Sequence, residues 1–236
     1  SAELGAQAGS AGIAVTSKAT CVYANYLEPK EKVRLRLFLD VAERAAALAA
    51  AEPGNASAFY WQAYALARYS QGISVAKALA QGLGGKVKAA LETAIALQPQ
   101  HADAHVALGA FHAEVIDKVG TLIGNMTYGA KKNTSLALFA QALSLTPQSQ
   151  LALLEYANAL VMLEGDKKMK EATQLYQEAA AAEPAATPSA YRTEHQRDVA
   201  LLGTREQRAL FCGTCVKSFG VPTANVGQLS TAVAAH

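Results

Sequence analysis

Two residues separate Cys212 from Cys215, and of all the patterns in the sequence this pair comes closest to a known chemical motif. This spacing is typical of redox dithiols and of one half of a zinc site. A zinc site needs four ligands, and neither a second cysteine pair nor a histidine cluster follows. A haem attachment would need histidine where Val216 stands, and a redox motif would need a strand followed by a helix. We therefore expect two thiols or an incidental disulfide, and no cofactor.

Three histidines form the second candidate set. His101, His105 and His112 lie four and then seven residues apart, with Glu114 and Asp117 close by. A helix would place His105 and His112 on one face, where a metal ion is conceivable. However, His101 falls in a predicted turn, and no further ligand follows at helical spacing. We expect packed histidines and no metal site.

The composition indicates a folded chain without a surface for nucleic acid. Of the 236 residues, 51% are hydrophobic and 17% are charged, so the chain can bury a substantial core. A net charge of +2 offers no basic stripe for phosphates, and we expect no nucleic-acid partner. No stretch reaches the ~18 apolar residues of a membrane span. Because the sequence assembles no catalytic set and no phosphate-binding loop, we expect that the protein is not an enzyme.

A helix–turn–helix junction within residues 88–113 organises the chain. An apolar helical pattern stops at Gln98 and Pro99, because proline forces the preceding residue out of helical geometry. A second apolar series begins after Asp103, with Gly109 small enough to let a neighbouring helix approach closely. This junction predicts the second helix of one hairpin and the first helix of the next.

The junction recurs at Pro53, Pro99, Pro147 and Pro184, in steps of 46, 48 and 37 residues. Periods of this length indicate helical repeats. Small and large residues stand at fixed offsets from the prolines: Leu48, Ala94, Ala142 and Ala179 five before; Ala45, Leu91, Phe139 and Tyr176 eight before; and Ala63, Gly109 and Ala157 ten after the first three.

These offsets resemble the tetratricopeptide repeat (TPR), in which small residues let two helices close and a large one fills the gap. The resemblance covers residues 33–190 and implies an all-α solenoid of antiparallel helical hairpins. We divide the chain into an N-terminal arm (1–29), flexible over residues 1–20, a TPR-like domain (30–186), and a capping helix with a loose tail (187–236).

Two hairpins are longer than the usual repeat of about 34 residues. The helical pattern is continuous over residues 57–81, and a second one continues past Phe111 as far as Tyr128 and Gly129. We therefore expect two elongated helices. Their extensions are apolar and must pack on each other, on the N-terminal segment, or on a ligand or partner. The third hairpin, residues 151–182, has no extension and turns at residues 164–166.

A closer resemblance rests on the motif HVALGAFHAEV, which is followed by an apolar extension and YGAKK. It is similar to bacterial tetratricopeptide proteins of the group that includes the T-component of TRAP transporters and the regulator of microtubule dynamics proteins. This resemblance implies a binding or scaffolding role, and it allows a hydrophobic channel through the helical body.

Our leading hypothesis is a protein-interaction module that binds a protein or peptide on the concave face of the solenoid. The family pattern places five residues on that face: Tyr60, Tyr64, Arg68, Glu114 and Asn158. Tyrosine and arginine are enriched at binding hot spots, which favours a peptide-binding patch. Alternatively, the two tyrosines pack beneath the first extension.

A second hypothesis is a carrier of a small hydrophobic ligand, in a pocket enclosed by the two extensions. Its candidate residues are Val115, Val119, Leu122 and Met126. A third is an enzyme or redox protein that uses Cys212 and Cys215. A homodimer that pairs the extensions of two copies is also a hypothesis.

The cysteine count bears on the compartment. Cys21 brings the total to three, and an odd number favours a reducing environment. We expect a cytoplasmic protein, or a periplasmic one if a signal peptide was removed before Ser1.

Overall fold

The computed structural model describes residues 9–182, with side chains from residue 12, and every regular element in this range is a helix. This confirms the predicted all-α class. None of these helices has both the length and the apolar character that a membrane span requires. In chain order the α-helices are α1 (Gly9–Tyr26), α2 (Glu31–Ala51), α3 (Ala56–Gln71), α4 (Val75–Ala80), α5 (Leu83–Leu97), α6 (Ala102–Val119), α7 (Thr121–Tyr128), α8 (Lys132–Leu145), α9 (Gln150–Glu164) and α10 (Met169–Ala181), and a 3-10 turn (Gly165–Lys168) joins α9 to α10.

Helices α3, α6 and α9 each begin three residues after a proline, and the side chain of the residue just before each helix caps it. Asn55 Oδ1 accepts a hydrogen bond from the backbone N–H of Ala58 at 3.2 Å. His101 Nδ1 and Ser149 Oγ accept equivalent bonds at 3.3 Å. A side-chain cap satisfies one of the backbone donors that the first turn leaves unpaired. Each junction therefore carries both the signal that ends one helix and the signal that begins the next.

The helices pair as α3 with α5, α6 with α8, and α9 with α10. Between α6 and α8, a Cβ added to Gly109 would lie 3.0 Å from the Phe139 ring, and Ser135 Oγ donates to the Gly109 carbonyl at 2.7 Å. The close approach predicted at Gly109 is therefore confirmed. The other repeat positions are also buried, apart from the half-buried Leu48: Ala45, Ala63, Leu91, Ala94, Phe139, Ala142, Ala157, Tyr176 and Ala179.

The prediction of one elongated helix over residues 57–81 is wrong, because the chain forms two helices there, α3 and α4, with a break between them. Gly72 caps the end of α3 and lies so close to the Leu35 side chain that an added Cβ would overlap it. Ser74 Oγ then accepts a backbone N–H in the first turn of α4 at 3.3 Å. Glycine is a poor helix former and serine a good cap, so the chain stops and restarts here.

The second expected elongated helix is wrong for a similar reason. Gly120 separates α6 from α7 with φ 82° and ψ 160°, a conformation that is almost exclusive to glycine. Gly129, at φ 65°, ends α7. Each extension is thus a separate short helix rather than a continuation of the one before it.

The N-terminal segment also differs from the expected flexible arm. From Gly9 onward it forms α1, which packs against α2 and contacts α3. Ser17, Cys21 and Ala24 are fully buried at helical spacing. Two of these residues are small and one is polar, so the buried stripe has no strong apolar signal in the sequence.

The third hairpin has the predicted form, with α9 and α10 joined by a turn that starts at Gly165, φ 55°. The junction at Pro184 and the cap and tail predicted for residues 187–236 lie outside the described residues.

Candidate binding site

A pocket of about 200 Å³ lies between α3 and α6. Close backbone contacts join α6 to α9, whereas α3 and α6 approach each other much less. The space between them is walled by α3, α5 and α6, and α4, α7 and α9 contribute side chains at its edges. The first helices of three successive hairpins therefore contribute to one pocket.

Both apolar extensions contribute to this pocket. Val75 and Leu79 of α4 line it on one side, and Val119 and Tyr128 line it on the other. A Cβ added to Gly84 would lie 2.8 Å from the Tyr128 ring, so the end of α7 also fits closely against α5. The extensions do not stand alone, because part of their apolar surface faces this space.

Arg68 is half-buried on α3, and its guanidinium lies 5.2 Å from the centre of the Tyr64 ring. Its NH1 donates a hydrogen bond to Gln71 Oε1 at 3.2 Å. The neighbouring Tyr64, followed by the Glu155 carboxylate, raises the pKa of Arg68, although burial opposes this shift. The arginine is a fixed cation within the pocket.

Gln71 links this arginine to α6. Its Nε2 donates to Glu114 Oε1 at 3.3 Å. Burial raises the pKa of Glu114, as does the Glu155 carboxylate, whereas Lys118 and Arg68 lower it. Among the described residues, no salt bridge engages Glu114 or Glu155. Two carboxyl groups that form no salt bridge among the described residues therefore line one pocket.

Arg68 and Gln71 also border a second cavity, of about 220 Å³, between α1, α2 and α3. Asn25 and Phe38 lie on its far side. The same two polar side chains thus line both spaces and lie between them.

Tyr60 and Tyr64 both line the pocket between α3 and α6, but in different ways. Tyr60 is buried, with its ring centre 4.7 Å from that of His101 and 5.1 Å from that of Trp61. Tyr64 is half-buried, and its hydroxyl accepts a hydrogen bond from Asn25 Nδ2 at 3.0 Å. Each ring therefore packs against neighbouring side chains and also forms part of the pocket lining.

Asn158 is the one expected concave-face residue that the structure places away from this pocket. Its Oδ1 accepts a hydrogen bond from the Tyr176 hydroxyl at 2.7 Å, across the α9–α10 hairpin. The four other residues of that set, Tyr60, Tyr64, Arg68 and Glu114, lie together.

The residues proposed for an enclosed hydrophobic pocket separate into two groups. Val115 and Val119 line the pocket from α6. Leu122 and Met126 are 73% and 79% exposed on α7 and are not part of the lining. The break at Gly120 explains the difference, because it turns α7 away from the line of α6.

The three histidines lie in separate surroundings. His101 caps α6, and His105 Nε2 lies 2.8 Å from the Pro99 carbonyl oxygen. His112 is buried, and burial lowers its pKa. No group of three or more potential metal ligands occurs in residues 9–182. Cys212 and Cys215 lie outside these residues.

Gln71 and Glu155 are among the pocket residues that were not predicted from the sequence. Glu155 lies eight residues after Pro147, as Ala107 of the same pocket lies eight after Pro99. The repeat offset could therefore have identified it. Gln71 lies three residues after Arg68, close to one helical turn, so the sequence could have suggested their contact. Its bond to Glu114 in α6 could not be read from neighbouring residues.

Comparison with known proteins adds no identification: the sequence matches no family model, and no curated protein matches it. The resemblance to tetratricopeptide proteins thus stays a prediction.

Proposed function

We propose that this chain is a non-catalytic binding protein of the tetratricopeptide type, and that a segment of its protein partner enters the pocket between α3 and α6. The observation that carries this proposal is the convergence of Tyr64, Arg68 and Glu114, from two successive hairpins, on one cavity. Concave pockets with apolar walls and a few converging polar groups are the usual sites of ligand binding.

The repeat pattern supports the family part of the proposal. The small residue of a first helix and the large residue of its second helix share one core in each hairpin, as Ala63 and Leu91 do in the first and Ala157 and Tyr176 in the third. Gly109 and Phe139 make the corresponding contact in the second hairpin. The shared capping geometry at the start of α3, α6 and α9 is a second regularity.

Site-specific photo-cross-linking tests where a protein partner binds. We would place a photo-reactive amino acid at Leu151, which is exposed at the edge of the pocket, and separately at Met126, which is exposed on α7 away from it. The variants would be irradiated in cells that express the protein. We expect a discrete adduct with a different protein from position 151 and no adduct with a different protein from position 126, where cross-linking to a second copy of this chain would report only the dimer. An adduct with a different protein from position 126 alone would contradict the proposal, because it would place the partner on α7.

A specific observation also favours the carrier of a small hydrophobic ligand. The side chains Val75, Leu79 and Val119, from the two extensions, line the same pocket and make it largely apolar. Native mass spectrometry of protein purified without refolding distinguishes this function, because a carrier would retain a small molecule. A ligand-free mass, together with an adduct from position 151, would leave the protein-binding function.

A homodimer belongs to the same proposal. Leu122, Ile123 and Met126 expose apolar side chains on α7, and a second copy could cover them. Sedimentation of the wild type and of Met126→Glu would test this. A wild type that is monomeric at high concentration would remove the dimer.

A further inference from the structure

We propose that the pocket between α3 and α6 takes a protonated amine carried on an apolar body. The inference rests on the proposed function, in that the pocket must be the binding site, and it names the chemistry of what binds. In a protein partner this group is a lysine side chain, and in a small molecule it is an alkyl or arylalkyl amine.

The first argument is the balance of charge. Within the part of the chain that the structure describes, three carboxyl groups line the pocket, those of Asp103, Glu114 and Glu155, against two cations, Arg68 and Lys118. Carboxylates in excess favour a cationic ligand and oppose an anionic one.

The second argument is how these charges are already engaged. The Arg68 guanidinium lies over the Tyr64 ring and donates a hydrogen bond to Gln71. These two contacts within the protein partly compensate its positive charge. Glu114 accepts one hydrogen bond, from Gln71, on Oε1 alone. No hydrogen bond or salt bridge within the described residues engages the Glu155 carboxylate. Glu114 Oε2 and both Glu155 carboxylate oxygens therefore remain available as acceptors within the described part of the site.

The third argument is the interaction between the two carboxyl groups. Burial raises the pKa of Glu114 most strongly, and the Glu155 carboxylate raises it further, whereas Lys118 and Arg68 lower it. An ammonium group close to both would offset this repulsion and supply donors to the free oxygens. An anionic head group in the same position would add to the repulsion.

The remaining walls define the rest of the ligand. Leu91, Ala107 and Phe111 give the pocket an apolar surface beside the carboxyl groups. At about 200 Å³ the pocket is smaller than the ~300–1,000 Å³ of sites for drug-sized molecules. It therefore suits one side chain or a small amine.

The test compares three probes with the same phenylpropyl body: 3-phenylpropylamine, 3-phenylpropanoate and 3-phenylpropanol. Trp61 is the only tryptophan of the chain, and it contacts the pocket residues Tyr60 and Tyr64 at ring distances of 5.1 and 5.6 Å. Its fluorescence therefore reports binding. A second arm titrates an N-acetylated, C-amidated alanine pentapeptide with a central lysine against the same capped peptide with norleucine, which separates a peptide source from a free amine.

We expect the amine or the lysine peptide to bind at least about tenfold more tightly than its neutral and anionic counterparts, as charge-assisted hydrogen bonds provide. Glu114→Gln and Glu155→Gln should each reduce that preference, and Glu43→Gln, an exposed carboxyl on α2, should not. Circular dichroism would confirm that the variants fold.

Two results would overturn the inference. Equal or tighter binding of the alcohol or the carboxylate would reject the amine while leaving the pocket as the binding site. Absence of binding by every probe would also reject it, and the cross-linking at position 151 would then decide the proposed function separately.

Discussion

Gln71, at the end of α3, donates a hydrogen bond from its side-chain Nε2 to Oε1 of Glu114, in α6, over 3.3 Å. The two residues are 43 positions apart in the chain and both line the pocket. The bond connects the first helices of two successive hairpins where their backbones are well separated. It therefore holds the two sides of the pocket in register.

Replacing Gln71 with alanine tests this connection. The Gln71→Ala variant leaves the largely buried Glu114 without its donor, and we expect the free energy of unfolding to fall by about 1–2 kcal/mol. Urea denaturation measures the change. Gln141→Ala, at an exposed position on α8, is the matched control and should change stability little. Equal losses in both variants would show that the bond contributes nothing.

The raised pKa of Glu114 predicts a pH dependence of stability. Burial is the main cause, and Lys118, Glu155, Arg68 and Gln71 are the groups that face this carboxyl. An acid whose pKa is higher in the folded state binds more protons there, so its contribution to stability falls as the pH rises from its usual 4.5 through the raised value.

Glu114→Gln removes this titration. Relative to the wild type, we expect the variant to become more stable as the pH increases from about 4 to about 7, with urea denaturation as the measurement. Glu43→Gln should follow the wild type at every pH. A constant difference between Glu114→Gln and the wild type would contradict the raised pKa.

The break between α6 and α7 predicts opposite effects at two glycines. Gly120 has φ 82° and ψ 160°, so Gly120→Ala should lower the free energy of unfolding by about 1–3 kcal/mol. Gly85 lies within α5 with no atom within 4 Å of an added Cβ, so Gly85→Ala should raise it by up to about 1 kcal/mol. Thermal denaturation of both variants gives the two signs. A stabilising effect at Gly120 would mean that the helix is continuous there.

The helix junctions could be predicted from the sequence because their signals are local. Proline acts on the residue before it, and the caps Asn55 and Ser149 act within one turn. The break at Gly120 was missed because apolar residues continue at helical spacing on both sides of it. Helix α1 was missed because its buried face consists of Ser17, Cys21 and Ala24, which a hydrophobic pattern does not detect.

The site could be predicted only in part. Arg68 and Glu114 both lie 15 residues after a junction proline and both line the pocket. Tyr64 and Asn158 both lie 11 residues after one, but only Tyr64 lines the pocket, and Asn158 bonds to Tyr176 instead. Gln71 bonds to Glu114, which lies 43 positions away in the chain, and a pattern of neighbouring residues cannot predict so distant a contact. The location of Leu122 and Met126 depends on a backbone turn rather than on side-chain spacing.

The most direct test of binding in the pocket is to fill it and measure cross-linking at its edge. Ala107→Leu adds apolar volume to the wall formed by α6, and Ala47→Leu adds the same volume to an exposed position of α2. With the photo-reactive amino acid at position 151, we predict that Ala107→Leu lowers the yield of the partner adduct by about tenfold at an unchanged melting temperature. We predict an unchanged yield for Ala47→Leu. An undiminished yield in the Ala107→Leu variant would show that the partner does not occupy this pocket.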